Sequence, residues 1–207
     1  MHIYGLDFTS APSHHKPITC AVCALEDGTL HVHDFTELTE FAQFEAFLAR
    51  PGPWVAGLDF PFGQPARLVR ALEWGDTWPA YVSIVAGMSK QAFVDTLKVY
   101  KDARPPGDKQ HLRRTDELAR SCSPMMLYGV PVGKMFFEGA PRLLASGAQV
   151  VPCHMNGDGR VVVEAYPALV ARKWAQHGYK SDTKKKQTVA HRDARQAIVA
   201  GLPAECQ

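Results

Sequence analysis

The sequence predicts an α/β fold: a mixed sheet, made of a three-strand antiparallel meander plus parallel strands, flanked by helices and carrying a helical insertion. Three observations predict it. Residues 2 to 35 hold three short apolar or alternating runs separated by turn signals, among them the Asp-Gly hairpin turn Glu26-Asp-Gly28. A helical pattern then leads into the apolar run Trp54–Asp59. After a long stretch without a strand signal, two more short apolar runs appear near the carboxyl end.

His2 to Phe8 is largely apolar, has Asp7 near its end and precedes the turn-rich Thr9-Ser-Ala-Pro-Ser13, which predicts a first strand. Residues 17 to 25 make the second strand and Thr29 to Phe35 the third. From Glu37 to Arg50, Leu38, Phe41, Phe44, Phe47 and Leu48 recur at helical spacing, with Thr36 as N-cap and Pro51-Gly52 as the stop. Trp54-Val-Ala-Gly-Leu-Asp59 is short, apolar on both faces and ended by Phe60-Pro61, as suits a central parallel strand buried by helices on each side. A meander, a helix and a buried strand in that order open the ribonuclease H-like fold, in which the fourth strand returns in parallel beside the first by a right-handed crossover.

Pro65 suits the first turn of a helix through Trp74, and residues 78 to 147 read as mostly helical, broken at Arg104-Pro-Pro-Gly-Asp108. Residues 66 to 147 are thus a helical insertion within one domain spanning 1–207. Strands near Gln149 to Pro152 and Val161 to Ala165 are separated by the turn Asn156-Gly-Asp-Gly159, and helices from Pro167 to Gln176 and from about Lys184 to Ala200 close the chain.

A chain of 207 residues buries roughly 70% of the surface it would expose unfolded, so one core suffices. With 46% hydrophobic and 21% charged residues it lacks the polar excess of disordered chains. A net charge of +2 and a pI near 8.3 fall short of a strongly basic footprint, so a nucleic-acid partner must be held by a local patch or through metal ions. The start Met-His-Ile-Tyr-Gly-Leu-Asp does not read as a signal peptide, and no apolar stretch reaches the ~18 residues that span a bilayer, which predicts a cytoplasmic protein with reduced cysteines. Cys20 and Cys23 form a C-x-x-C on a strand, where residues three apart face opposite sides, so they do not share a metal or a disulfide. Cys122, Cys153 and Cys206 read as structural or surface thiols.

The tetrapeptide Gly-Leu-Asp-Phe occurs at 5 to 8 and at 57 to 60, each time with the acid arriving as an apolar strand ends. Val161-Val-Val-Glu-Ala-Tyr-Pro167 repeats the pattern with Glu164. If the three strands run parallel and adjacent, Asp7, Asp59 and Glu164 project together at their carboxyl ends, where α/β sheets build ligand sites. Crowded anions at low dielectric need protons or cations, and hard oxygen ligands select Mg²⁺ or Mn²⁺. The plainer reading, that each acid caps its strand and faces water, suits any one of them alone; three together favour a site.

Gly5-Leu-Asp-Phe-Thr-Ser-Ala-Pro12, Gly57-Leu-Asp-Phe-Pro-Phe-Gly-Gln-Pro65, Phe136-Phe-Glu-Gly-Ala-Pro141, Glu164-Ala-Tyr-Pro167 and Tyr179-Lys-Ser-Asp182 together resemble the domain-of-unknown-function 429 family, whose members are predicted nucleases of ribonuclease H-like fold. The resemblance spans nearly the whole chain and implies metal-dependent phosphodiester hydrolysis. It matches Asp7, Asp59 and Glu164 to the family's acids. Family members usually continue into a last helix with an Asp-x-x-Asp pair, whereas this sequence stops at Gly201-Leu-Pro-Ala-Glu-Cys-Gln207, and the missing acid is not transferred to Asp193.

Lys180, Lys184, Lys185, Lys186, Arg192 and Arg195 follow the Glu164 motif and either contact phosphates near the acidic edge or form a solvated surface. Of these, Lys180 alone lies in a segment that the resemblance covers. Glu138, in a turn bounded by Gly-Ala-Pro, either reaches the site to orient substrate or is merely solvated, and Thr9 and Ser10, in the turn after strand one, are candidates for binding substrate. Arg113, Arg114 and Asp116 either pair on a helix surface or line a groove, and the sequence does not choose. His31 and His33 alternate on an exposed-looking strand without a convincing second pair of ligands, which argues against zinc. Trp54, Trp74, Trp78 and Trp174 read as core or rim. Two alternatives to the nuclease stand: an ATP-binding phosphotransferase of the actin-like or sugar-kinase type, which Asp7-Phe-Thr-Ser10 faintly resembles without the needed Gly, and a non-catalytic binding domain.

Overall fold

The computed structural model describes residues 1–175, 178–181 and 184–202. The expected end of a helix at Gln176, Asp182 of the resemblance, Cys206 and the chain from 203 onward lie outside the described residues, as does the side chain of Lys184.

Six strands form one sheet in the order β3-β2-β1-β4-β6-β5. β1 (His2–Asp7), β2 (Ile18–Glu26) and β3 (Thr29–Leu38) make the antiparallel meander. β4 (Trp54–Leu58) lies parallel to β1, β6 (Arg160–Glu164) parallel to β4, and β5 (Gln149–Val151) parallel to β6. This is the mixed ribonuclease H-like sheet, and the strand added after the insertion fits between β4 and β5.

α1 (Phe41–Leu48) begins four residues later than Glu37. Thr36 to Leu38 remain in β3, paired with Ile18 to Cys20, and the helix starts only where the Gln43 side-chain oxygen accepts from the Thr39 and Glu40 N–H groups. Between β4 and β5 the chain forms α2 (Ala66–Ala71), α3 (Trp78–Ala86), α4 (Lys90–Asp102), α5 (Arg114–Ala119) and α6 (Val132–Ser146). Thr77 caps α3 and Ser89 caps α4, each hydroxyl accepting from a backbone N–H of the first turn. α7 (Pro167–Ala171) and α8 (Val189–Gly201) follow β6, with a short 3₁₀ turn (Lys184–Lys186) between them. Thr188 caps α8, so the helix expected from Lys184 is split there.

Strand alternation decides which face of the sheet carries the core. Leu6, Cys20, Trp54, Ala56, Leu58, Val150 and Val162 are buried on one face, against aromatic side chains of α1, α4 and α6 such as Phe44, Phe93 and Phe136. Each of those buried phenylalanines contributes roughly 1.5–3 kcal/mol. The other face of β4 is only half-buried, at Val55 and Gly57, so β4 is not enclosed equally on both sides as its apolar sequence suggests. α6 approaches the sheet closely because Gly139 presents no side chain: a Cβ there would run into the Phe60 ring. This packing carries the helix through Pro141, and Glu138 therefore lies within α6 rather than in a turn.

β6 is tied down at its start. The Arg160 guanidinium pairs with Asp158 (2.8 and 2.9 Å) and donates to the Leu48 carbonyl at the end of α1 (3.0 Å). Cys20 and Cys23 are both buried free thiols, in register with Leu6 and Ile3 and so on opposite faces. Among the described residues no helix is long and apolar enough to cross a membrane.

Candidate active site

β1, β4 and β6 end along one edge of the sheet, and their acids arrive there by different routes. The Asp59 N–H donates to the Leu6 carbonyl (2.9 Å), so the β1–β4 ladder continues past Leu58 and brings Asp59 up beside Asp7. Asp7 is exposed and Asp59 half-buried. Glu164 is offset by one residue. Its partner across the sheet is Leu58, which in turn pairs with Leu6. Because side chains alternate, Glu164 leaves β6 on the core face, with Leu6 and Leu58, whereas Asp7 leaves β1 on the other. Equivalent projection of three carboxylates thus describes Asp7 and Asp59, and Glu164 departs from it by that single step of register.

The core face supplies Glu164 with partners. Arg113 Nη1 donates to Glu164 Oε2 (2.7 Å), Arg113 Nη2 donates to Oε1 (2.6 Å), and the Phe62 N–H donates to Oε2 (2.8 Å). The adjoining edge of the same guanidinium is taken by Asp116, through Nε (2.9 Å) and the shared Nη2 (2.7 Å). Asp116 is buried and also accepts from the Arg113 N–H and the Ser121 hydroxyl. Arg113 and Asp116 therefore line the site. Burial alone disfavours the Arg113 charge, but hydrogen bonds to Asp116 and then to Glu164 outweigh it and hold the proton more firmly than in water.

Asp59 shows the cost of burial and, after it, of crowding. Its pKa is raised from 3.8 to about 6, first by burial and then by the negative charge of Asp7; Glu164 adds to the rise and the exposed Lys180 opposes it. Lys180 is thus close enough for its charge to act on Asp59. Tyr81 forms part of the inner wall: a Cβ on Gly63 would lie 2.6 Å from its hydroxyl oxygen. Burial, and then the Cys153 thiol, push the phenol's pKa up, and the charges of Arg113 and Glu164 both reach it. Cys153 itself is raised by burial and then by Glu164.

Asp7 and Asp59 offer the hard oxygen donors that suit Mg²⁺ or Mn²⁺, and anionic crowding at Asp59 is what a cation relieves. Glu164 does not fit as it stands, since Arg113 engages both of its oxygens. Among the described residues no three His, Cys, Asp or Glu side chains are arranged to hold an ion.

The other expected residues divide. The buried Thr9 hydroxyl accepts from the Ala11 N–H at 3.5 Å, closing the turn after β1 on itself, and Ser10 is half-buried beside it. Glu138 is tied to Lys90 (2.8 Å) and Arg142 (3.1 Å) rather than to any of the three acids. Arg195 donates to the Tyr179 carbonyl, Arg192 pairs with Asp193, and Lys185 and Lys186 are exposed. His31 and His33 stack on exposed β3. An open groove lined by Arg50, Pro51, Asp158 and Arg160 lies at the amino ends of β4 and β6, away from the acids.

Tyr81 and the Phe62 N–H escaped the sequence reading. Phe62 and Gly63 stand in the Gly57–Pro65 motif and were the available signal; Tyr81 lies in a helix whose sequence has none.

Comparison with known proteins adds the family alone: no curated protein and no solved structure matches the chain. A family model described as "Protein of unknown function (DUF429)" matches residues 5–207, which cover Asp7, Asp59, Arg113 and Glu164. The chain therefore belongs to the domain-of-unknown-function 429 family.

Proposed function

We propose that this protein is a metal-dependent nuclease that hydrolyses phosphodiester bonds in nucleic acid, with Asp7 and Asp59 holding a divalent cation and Glu164 as the third acid. One observation carries the reading: two acids stand side by side at the carboxyl ends of adjacent parallel strands, where burial first, and then the charge of Asp7, lift Asp59 to about 6. Bound Mg²⁺ or Mn²⁺ supplies an activated water and neutralises charge on the reacting phosphate. Asp7 and Asp59 bind and orient. Lys180 adds positive charge beside them, which a modestly charged chain of +2 needs for a polyanionic partner. The half-buried position of Asp59 limits water around the reacting groups. A cytoplasmic location accords with this activity.

The test is cleavage. Purified protein with Mn²⁺ or Mg²⁺ is offered single- and double-stranded DNA and RNA, and Asp7→Asn and Asp59→Asn are expected to lower the rate at least 100-fold, as loss of a metal ligand does, about 3 kcal/mol of barrier. Absence of cleavage on every form, or cleavage untouched by Asp7→Asn, overturns the reading.

A further inference from the structure

The Glu164 carboxylate lies in a receptor made for an oxyanion. Three donors converge on its two oxygens: Arg113 Nη1, Arg113 Nη2 and the Phe62 N–H, at 2.7, 2.6 and 2.8 Å. The two arginine bonds are the parallel fork that matches carboxylate and phosphate alike. What fixes the fork is independent of Glu164. Asp116, 2% exposed, holds the adjoining Nε–Nη2 edge of the guanidinium and is itself held by the Arg113 N–H and the Ser121 hydroxyl, so the Nη1–Nη2 edge stays aimed at the strand ends when Glu164 leaves. The Phe62 N–H belongs to the segment that follows Asp59, where the buried Phe62 ring and a hydrogen bond from Trp78 Nε1 to the Phe62 carbonyl (2.6 Å) hold the residue. Glu164, by contrast, is 31% exposed, and the hydrogen bonds to its carboxylate come from this receptor alone among the described residues.

We infer that Arg113 and the Phe62 N–H form a phosphate-binding site that the Glu164 side chain occupies. Its ligand is the non-bridging oxygen pair of a phosphate ester. Glu164 is an internal competitor: when it turns toward the cation side, the fork is vacated for the substrate's phosphate, and the two events favour each other. The choice of phosphate over another oxyanion rests on the nuclease reading, whereas the receptor does not. Arg113 becomes a substrate-binding residue, and Asp116 the residue that positions it. No bond is made or broken in the exchange; one anion replaces another on the same three donors.

The experiment uses metal-free protein and inorganic phosphate, with chloride at equal ionic strength as the control, and reads binding by calorimetry. Glu164→Ala empties the receptor and leaves Asp116 in place. It is expected to bind phosphate about tenfold more tightly than wild type, the scale of one charge-assisted bidentate contact. Adding Arg113→Lys to that variant is expected to abolish the gain, since an ammonium cannot reproduce the fork. No gain in Glu164→Ala overturns the inference, and so does a gain that survives Arg113→Lys. Should the double variant not fold, the Arg113 side-chain NMR signals in Glu164→Ala give the same answer: they shift on adding phosphate, or the site is elsewhere. With neither metal nor nucleic acid present, this result is separable from failure of the cleavage assay.

Discussion

Arg113 grips Glu164 through two parallel hydrogen bonds of 2.6 and 2.7 Å, although 51 residues of chain separate them. The two carboxylates that share this guanidinium differ in environment, at 2% exposure for Asp116 against 31% for Glu164. Removing the cation strands a buried charge at Asp116, which costs about 3 kcal/mol, whereas Glu164→Gln removes a partly solvated partner and costs about 1 kcal/mol. Urea unfolding is expected to show Arg113→Gln as the more destabilised of the two, with part of the loss recovered in Arg113→Gln/Asp116→Asn. Equal losses would contradict the assignment of Asp116 as the fixed side.

Asp59 makes metal-free stability depend on pH. With its folded pKa raised from 3.8 to about 6, the folded chain binds more protons than the unfolded chain between those values. Stability therefore falls as pH rises through that window and stays lower above it. Asp59→Asn removes the penalty. Allowing for partial solvent access, it is expected to raise stability by about 2 kcal/mol near neutral pH and to change little below about pH 4. Denaturant melts at both pH values check this.

Protons and cations compete at the same carboxylate. Saturating Mn²⁺ is expected to raise Tm by about 5 °C at pH 8, and by less at pH 5, where Asp59 is largely protonated. Asp7→Asn should lose most of the rise at either pH. A rise unaffected by Asp7→Asn would place the ion elsewhere.

Gly139 and Gly5 offer a paired test of packing. A methyl group at Gly139 meets the buried Phe60 ring, whereas at Gly5 nothing lies within 4 Å. Gly139→Ala is expected to cost about 2 kcal/mol and Gly5→Ala less than about 0.5 kcal/mol. Comparing their urea midpoints decides whether α6 is seated as closely as described.

The strands were legible because their signals are local. The Asp-Gly turn, the apolar run at 54 to 58 and the stop at Pro51-Gly52 all act within a few residues. Asp7 and Asp59 were legible for the same reason, each at the end of its own strand. The place of Glu164 at the end of its strand was legible, but its facing was not: register between β4 and β6 is set by pairing across more than 100 residues, and one step reverses a side chain. Arg113 was visible as a cation that either pairs on a helix surface or lines a groove, and the choice between them depends on Glu164, which only the folded chain brings near. Glu138 misled because Gly139 and Pro141 read as a turn, while tertiary packing against Phe60 holds a helix there.

The anchoring of β6 limits how Glu164 can move. Arg160 pins the first residue of the strand to Asp158 and to the end of α1, and parallel neighbours flank it on both sides. With its backbone immobilised, the strand cannot slide to deliver the acid, so any exchange between arginine and cation is a rotation about side-chain torsions. The two conditions of the site would then share one main-chain trace, and interconversion would run on the timescale of rotamer changes rather than of refolding.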